Sequence, residues 1–113
     1  MLFKTRKIYS YWLKLYRKIA KPERFGIGER IDKLFLELLD LINSSQYSSG
    51  TDKILYLEKS IAQIDKIKFF SEIAWENKLM TPREYVELLE GLQNLGKELG
   101  GWKKSISIKT SRP

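Results

Sequence analysis

The sequence predicts an all-α protein that folds as one up-down-up-down antiparallel four-helix bundle. Its 113 residues suffice for one domain, and 42% of them are hydrophobic, as is usual for a globular chain. The seven glycines and three prolines largely cluster, which leaves long segments without helix breakers. Apolar residues recur every three or four positions in four such segments. Short connections between long helices favour antiparallel neighbours.

The first helix is predicted over residues 5–20 and the second over residues 28–44. The apolar face of the first comprises Ile8, Trp12, Leu15 and Ile19. The apolar face of the second comprises Ile27, Ile31, Leu34, Leu38, Leu41 and Ile42. Pro22 separates the two helices, because a residue that precedes proline avoids the helical conformation. The polar run over residues 43–50 is expected to be a loop.

The third helix is predicted over residues 52–77, with Thr51 as its N-cap. The fourth is predicted over residues 82–99, and its start is the clearest local signal in the chain. Thr81 and Glu84 have the spacing of a capping box, and Pro82 occupies the first helical position. Gly100 and Gly101 are expected to end this helix. The bundle would then span residues 1–102, followed by a flexible basic tail over 103–113.

The positive charge is concentrated at the two ends of the chain. The formal net charge is +7. Residues 1–33 hold ten Lys or Arg against three Asp or Glu, and residues 103–113 hold four against none. The intervening residues hold seven against eleven and are mildly acidic. Such asymmetry predicts a polyanion or an acidic protein surface as partner.

The composition argues against catalysis and against a metal or other cofactor. The chain has no cysteine and no histidine. The usual thiol nucleophile, general base and soft metal ligands are therefore missing, and we predict no catalytic residues, no metal site and no cofactor. No apolar run is long enough for a membrane span or a signal peptide. We therefore expect a cytoplasmic protein that does not bind membranes.

A basic strip along the first helix is the better functional signal. Lysines recur opposite its apolar face, as phosphate-backbone contacts require, although the same pattern also describes a merely solvated helix face. Together with basic residues near the helix junction and the C terminus, the predicted nucleic-acid-binding set is Arg6, Lys7, Lys14, Arg17, Lys18, Lys21, Arg24, Arg30, Lys103 and Lys104.

The first and third helices each carry a second line of apolar residues beside the one that faces the core. Such a line either widens the core or marks a subunit interface, and the polar positions that separate the two lines of the third helix favour the interface. The predicted oligomer interface comprises Tyr9, Leu13, Tyr16, Leu55, Phe69 and Ile73.

Three segments resemble the accessory variability determinant (Avd) family of diversity-generating retroelements. Residues 21–31, KPERFGIGERI, are similar to its junction between helices one and two. Residues 78–85, KLMTPREY, are similar to its junction between helices three and four. Residues 99–105, LGGWKKS, are similar to its characteristic ending. Their order and spacing extend the resemblance over roughly residues 7–105.

The resemblance implies a homopentamer of four-helix bundles that binds a reverse transcriptase and its template RNA or DNA and supports mutagenic retrohoming. Proteins encoded in intervening sequences of 23S ribosomal RNA genes share the fold. Residues 38–42, LLDLI, differ from the helix-two stretch typical of that branch. The alternative is a structural or adaptor bundle, outside any retroelement, whose basic face binds an acidic protein or ribosomal RNA.

Overall fold

The computed structural model describes residues 2–111, which form four α-helices and no strand. Helix α1 spans Leu2–Lys18, α2 spans Ile27–Gln46, α3 spans Gly50–Glu76 and α4 spans Pro82–Ser111. A short 3₁₀ turn at Glu23–Phe25 lies between α1 and α2. Helix α2 packs against α1 and α3, and α4 packs against the same two helices. This packing fits a helical bundle. The bundle is elongated and measures 55 × 22 × 20 Å along its principal axes.

The core is a single cluster to which all four helices contribute. Helix α1 supplies Trp12 and Leu15, and Ile19 follows directly after it. The apolar face predicted for the second helix is largely buried, and so are Phe35 beside it and Leu88, Leu92, Leu95 and Leu99 of α4. The fully buried leucines of α4 are spaced by three or four residues, which brings them to one face of the helix.

Three polar side chains of α3 are also buried, which the apolar pattern did not predict. Ser60, Gln63 and Ser71 all lie on the core side of the helix. The Gln63 amide donates to the Leu34 carbonyl oxygen at 3.1 Å and to the Glu37 carboxylate at 2.7 Å, so it links α3 to α2. Bonding of this kind offsets the cost of burying an amide.

Two glycines mark where helices approach closely. A Cβ at Gly28 would lie 2.9 Å from a ring carbon of Tyr16, which leaves no room for a side chain between α1 and α2. A Cβ at Gly91 would lie 3.2 Å from Ile8, where α1 crosses α4. Gly96, in the middle of α4, has nothing within 4 Å of such a Cβ and does not mark a helix contact.

The predicted capping box of the fourth helix is confirmed. The Thr81 backbone N–H donates to the Glu84 carboxylate at 2.9 Å, and the Glu84 N–H donates to the Thr81 hydroxyl oxygen at 3.1 Å. Pro82 is the first residue of α4, as predicted. The N-cap predicted for the third helix is wrong, because α3 begins at Gly50 and Thr51 lies inside it.

Two helix ends were predicted too early. Helix α2 continues through Gln46, where the buried Ser45 hydroxyl donates to the Ile42 carbonyl oxygen at 2.6 Å. Helix α4 does not stop at Gly100 and Gly101 but continues to Ser111. Tertiary contacts override the glycines here. Ile106 packs against the core, and Lys103 pairs with Glu58 of α3 at 3.4 Å. The expected tail is therefore helical as far as Ser111, and its last two residues lie outside the described range.

Candidate functional site

Four of the predicted cations form an exposed surface on α1. Arg6, Lys7, Lys14 and Arg17 lie on the side of the helix opposite the buried Trp12, and this set is called the basic face below. Residues 1–22 contain no Asp or Glu, so the helix supplies no carboxylate to neutralise these cations. Within residues 2–111, none of the four forms an ion pair with a carboxylate. A positive potential of this kind attracts polyanions.

A shallow groove runs along the basic face. Its walls are formed by Phe3, Arg6, Lys7, Ser10, Tyr11 and Lys14. The groove therefore combines three cations with the exposed Phe3 ring, the half-buried Tyr11 ring and the Ser10 hydroxyl. Those groups contact phosphates, bases and sugars in nucleic-acid complexes.

Two predicted cations are instead held at the end of α1. The Lys18 ammonium lies 3.1 Å from the Glu84 carboxylate of α4. The Arg24 guanidinium donates to the Ile19 carbonyl oxygen at 3.0 Å and to the Arg17 carbonyl oxygen at 3.2 Å. These bonds satisfy carbonyl groups that the end of a helix leaves without partners. Arg24 therefore has a structural function in the turn.

The other predicted cations lie on different parts of the surface. The Arg30 guanidinium lies 5.5 Å from the centroid of the Phe70 ring, where α2 meets α3. Lys103 pairs with α3, and Lys104 is exposed on the C-terminal part of α4. Lys21 is exposed in the turn after α1. The structure therefore gathers four of the ten predicted residues on one helix face and disperses the rest.

Two exposed phenylalanines were missed by the sequence analysis. Phe3 is 67% exposed and Phe25 is 65% exposed. The Lys7 ammonium lies 4.8 Å from the Phe3 ring centroid, and the Lys21 ammonium lies 5.9 Å from the Phe25 ring centroid. Phe3 and Lys7 are four residues apart in the first helix, a spacing that could have revealed their contact, whereas Lys21 and Phe25 lie outside the α-helices.

Two tyrosines of the predicted oligomer interface pack within the chain. The Tyr9 hydroxyl donates to the Asp32 carboxylate at 2.9 Å, and its ring lies 5.9 Å from that of Phe35. Burial, together with this hydrogen bond, raises the pKa of Tyr9 to about 12, so the donor proton stays in place. The Tyr16 hydroxyl donates to the Arg24 carbonyl oxygen at 3.2 Å.

At these two tyrosines the second apolar line of α1 therefore packs within the bundle, which is the alternative to a subunit interface. Both rings widen the contact between α1 and α2, and Tyr16 also stacks on Trp12 with a centroid distance of 5.5 Å. Leu13, between them, remains half-buried. Their use inside the chain also argues against either ring as a base-stacking group.

The apolar line of α3 is more exposed. Leu55 is 48% exposed and Phe69 is 57% exposed, while Ile73 is half-buried. These side chains lie opposite the buried face of α3, which includes Leu57 and Ile64. Exposed apolar residues aligned along a helix are a feature of protein contact surfaces.

A second groove lies where the end of α3 meets the start of α4. Trp75 and Tyr85 stack there with a centroid distance of 4.9 Å. Trp75 lines the groove together with Leu15, Lys18, Leu79 and Met80, while Tyr85 packs behind it. Burial raises the pKa of Tyr85, with Glu72 and Glu76 adding to the shift.

Among the described residues, no group of three or more Asp, Glu, His or Cys side chains comes close enough to hold a metal ion. Within the same range, none of the helices combines the length and apolar character that crossing a membrane requires.

Comparison with protein-family models gives no match, and comparison with curated proteins gives none either. The resemblance to the Avd family therefore rests on the three segments at residues 21–31, 78–85 and 99–105.

Proposed function

We propose that this chain is a non-enzymatic, cytoplasmic accessory protein of a diversity-generating retroelement. It would bind the reverse transcriptase and the template nucleic acid and so support mutagenic retrohoming. The observation that carries the nucleic-acid part is the basic face, whose four cations are exposed on a helix without a single carboxylate. The parts of the proposal that concern the retroelement and the reverse transcriptase rest on the resemblance to the Avd family.

The proposal includes an up-down-up-down antiparallel bundle, and side-chain pairs support it. Lys4, near the start of α1, pairs with Glu98 of α4, and Lys18, at the end of α1, pairs with Glu84 near the start of α4. Such crossed pairing is expected when α1 and α4 run in opposite directions. The helices α3 and α4 show the same crossed pairing. Glu58, in the first half of α3, pairs with Lys103 of the C-terminal part of α4, and Trp75, near the end of α3, stacks on Tyr85 near the start of α4.

The proposal also includes self-association, with a homopentamer implied by the family resemblance. The exposed line of Leu55 and Phe69 on α3 supports a protein contact there, since burial of apolar side chains drives most protein association. Assembly would bring several basic faces together, so the field acting on a polyanion would exceed that of one subunit.

Salt-dependent binding tests the nucleic-acid part. We expect the full chain to bind RNA or DNA at low ionic strength. The logarithm of the binding constant should fall steeply and linearly with the logarithm of the salt concentration. Filter binding at several salt concentrations measures this. Undetectable binding at the lowest salt would contradict it. Co-purification with a reverse transcriptase encoded beside the gene tests the polymerase part.

An adaptor bundle outside any retroelement is the second candidate function, and the exposed α3 line favours it equally. Its basic face would bind an acidic protein or ribosomal RNA. The two candidates differ in genomic neighbourhood, because the retroelement function requires a reverse transcriptase gene and a variable repeat nearby. If the chain binds nucleic acid but its gene has neither a reverse transcriptase gene nor a variable repeat nearby, the adaptor function would be favoured.

A further inference from the structure

The two exposed phenylalanines lie at opposite ends of the α1 surface. Phe3 is in the first turn of α1, and Phe25 is in the 3₁₀ turn that follows the helix. A helix of 17 residues is about 25 Å long, and along the chain Phe3 precedes the basic face while Phe25 follows it. Each ring has a lysine ammonium close to it, from Lys7 and from Lys21.

Single exposed apolar residues are common on protein surfaces and need no function. These two rings differ from a random pair because each is associated with a cation and because both lie within the most basic part of the sequence. The first acidic residue of the chain is Glu23, which lies two residues after Lys21 and directly before Arg24. By contrast, the Lys53 and Trp102 pair lies near Lys103, whose charge is paired with Glu58.

An exposed ring beside free cations matches the chemistry of an unpaired nucleotide. A base can stack on the ring while the neighbouring ammonium binds the phosphate, and every base has a face that can stack. A duplex offers the same phosphates but keeps its bases stacked on each other. The rings would therefore contribute to binding a single strand and contribute nothing to binding a duplex.

We propose that the basic face binds single-stranded nucleic acid, with Phe3 and Phe25 each stacking on an unpaired base and the cations between them contacting the phosphates. This inference rests on the proposed nucleic-acid binding of the same face and specifies its substrate class. A strand that follows α1 from one ring to the other contacts Lys7 and Lys14 on the way.

Fluorescence anisotropy with a labelled oligouridine and with a duplex RNA of equal length tests the proposal. Phe3→Leu and Phe25→Leu keep apolar bulk but remove the aromatic face. We expect each to weaken oligouridine binding roughly fivefold or more, since base stacking contributes about 1–3 kcal/mol per base. Duplex binding should be unchanged. The dependence of oligouridine affinity on salt should also keep its slope, because that slope counts phosphate contacts.

Two further variants complete the test. Trp102→Leu is the matched control, because Trp102 is also an exposed ring beside a lysine ammonium but lies on α4, next to Lys53 of α3; it should leave oligouridine binding unchanged. Phe3→Tyr keeps a stacking ring and should retain near-wild-type affinity. Thermal melting shows whether each variant remains folded.

The outcomes distinguish this proposal from the proposed function. Loss of oligouridine binding alone supports the stacking rings. Equal loss of single-strand and duplex binding, or no loss of either, overturns the stacking proposal while the binding function stands. A wild-type chain that binds neither probe at low salt overturns both.

Discussion

The inner and outer faces of α1 have opposite chemistry within the same 17 residues. The inner face carries Thr5, Trp12 and Leu15, all of them buried. The outer face carries the exposed cations, and within the described residues none of the basic face has a carboxylate partner. The contrast teaches that the fold depends on one side of α1 and leaves the other side available for a ligand. Stability and binding should therefore respond to different substitutions in one helix.

The largest expected effect is on the inner face. Trp12 is fully buried, stacks between Tyr16 and Phe35, and donates from its indole nitrogen to Asp32 at 3.2 Å. Trp12→Ala should lower the free energy of unfolding by about 3–5 kcal/mol, because it leaves a cavity and removes that hydrogen bond. Urea denaturation followed by circular dichroism measures the change.

Trp102→Ala is the control of the same residue type. Trp102 is 44% exposed, and the Lys53 ammonium lies 5.4 Å from the centroid of its ring. Loss of that contact should cost about 1 kcal/mol or less. Equal destabilisation by both substitutions would contradict the division between an inner core and a free surface.

The sequence predicted much of this contrast because both faces of α1 follow a helical period. Trp12 and Leu15 recur at helix spacing, and the cations fall opposite them. It also predicted the start of α4, since the capping box is a purely local set of bonds between Thr81 and Glu84.

What it missed depends on tertiary contacts. Periodicity did not reveal that Tyr9 bonds to Asp32 of α2, so its line was assigned to an interface. Local rules ended α4 at Gly100, although Ile106 continues the packing beyond it. The predicted nucleic-acid-binding residues lie on several surfaces, because nothing local distinguishes Lys103, which pairs with Glu58 of α3, from Lys14, which has no carboxylate partner among residues 2–111.

The second prediction removes charge from the outer face. Arg6→Gln, Lys14→Gln and Arg17→Gln together should lower the log–log salt slope for single-stranded RNA by about two units, at about 0.7 per phosphate contact. Unfolding free energy should change little, since all three side chains are exposed. Salt titrations with an RNA oligonucleotide measure the slope.

The matched control lowers the net charge equally but elsewhere. Lys59, Lys66 and Lys97 are also exposed, and they lie on α3 and α4. Their replacement by Gln should leave the salt slope within about half a unit of the wild-type value. Equal loss in both triple variants would mean that binding depends on total charge and not on the basic face.

The third prediction concerns Leu13, which is half-buried between the two tyrosines of α1. If it contacts a neighbouring subunit, Leu13→Glu should break the oligomer and retain helical content. RNA binding should then weaken by about tenfold, because fewer basic faces act together. Light scattering, circular dichroism and RNA titration measure the three properties. Phe69→Glu, on the α3 line, should have the same effect on assembly.

Two outcomes would change the assignment of Leu13. A variant that stays oligomeric with a glutamate at this position places the subunit contact elsewhere. A variant that unfolds shows that Leu13 belongs with Tyr9 and Tyr16 in the packing between α1 and α2.

The smallest expected effect is at Lys18, the predicted cation that α4 neutralises. Its partner Glu84 also accepts from the Thr81 backbone N–H, and this hydrogen bond, followed by the one from Lys18, holds the pKa of Glu84 below its ordinary value of 4.5. A lowered carboxyl pKa stabilises the folded state at pH values above about 4.5, and that stability is lost as pH falls through the folded pKa.

Glu84→Gln keeps a capping acceptor but removes the charge, so it should cost about 0.5–1 kcal/mol at neutral pH. The cost should shrink as pH falls from 4.5 through the lower pKa that Glu84 has in the folded state, because the wild-type carboxyl then becomes protonated. Urea midpoints of both proteins across this range measure the difference. A cost that is independent of pH would show that Glu84 contributes to stability by packing and not by its charge. The Lys18 ammonium would then not be neutralised by Glu84, just as no carboxylate within residues 2–111 neutralises the cations of the basic face.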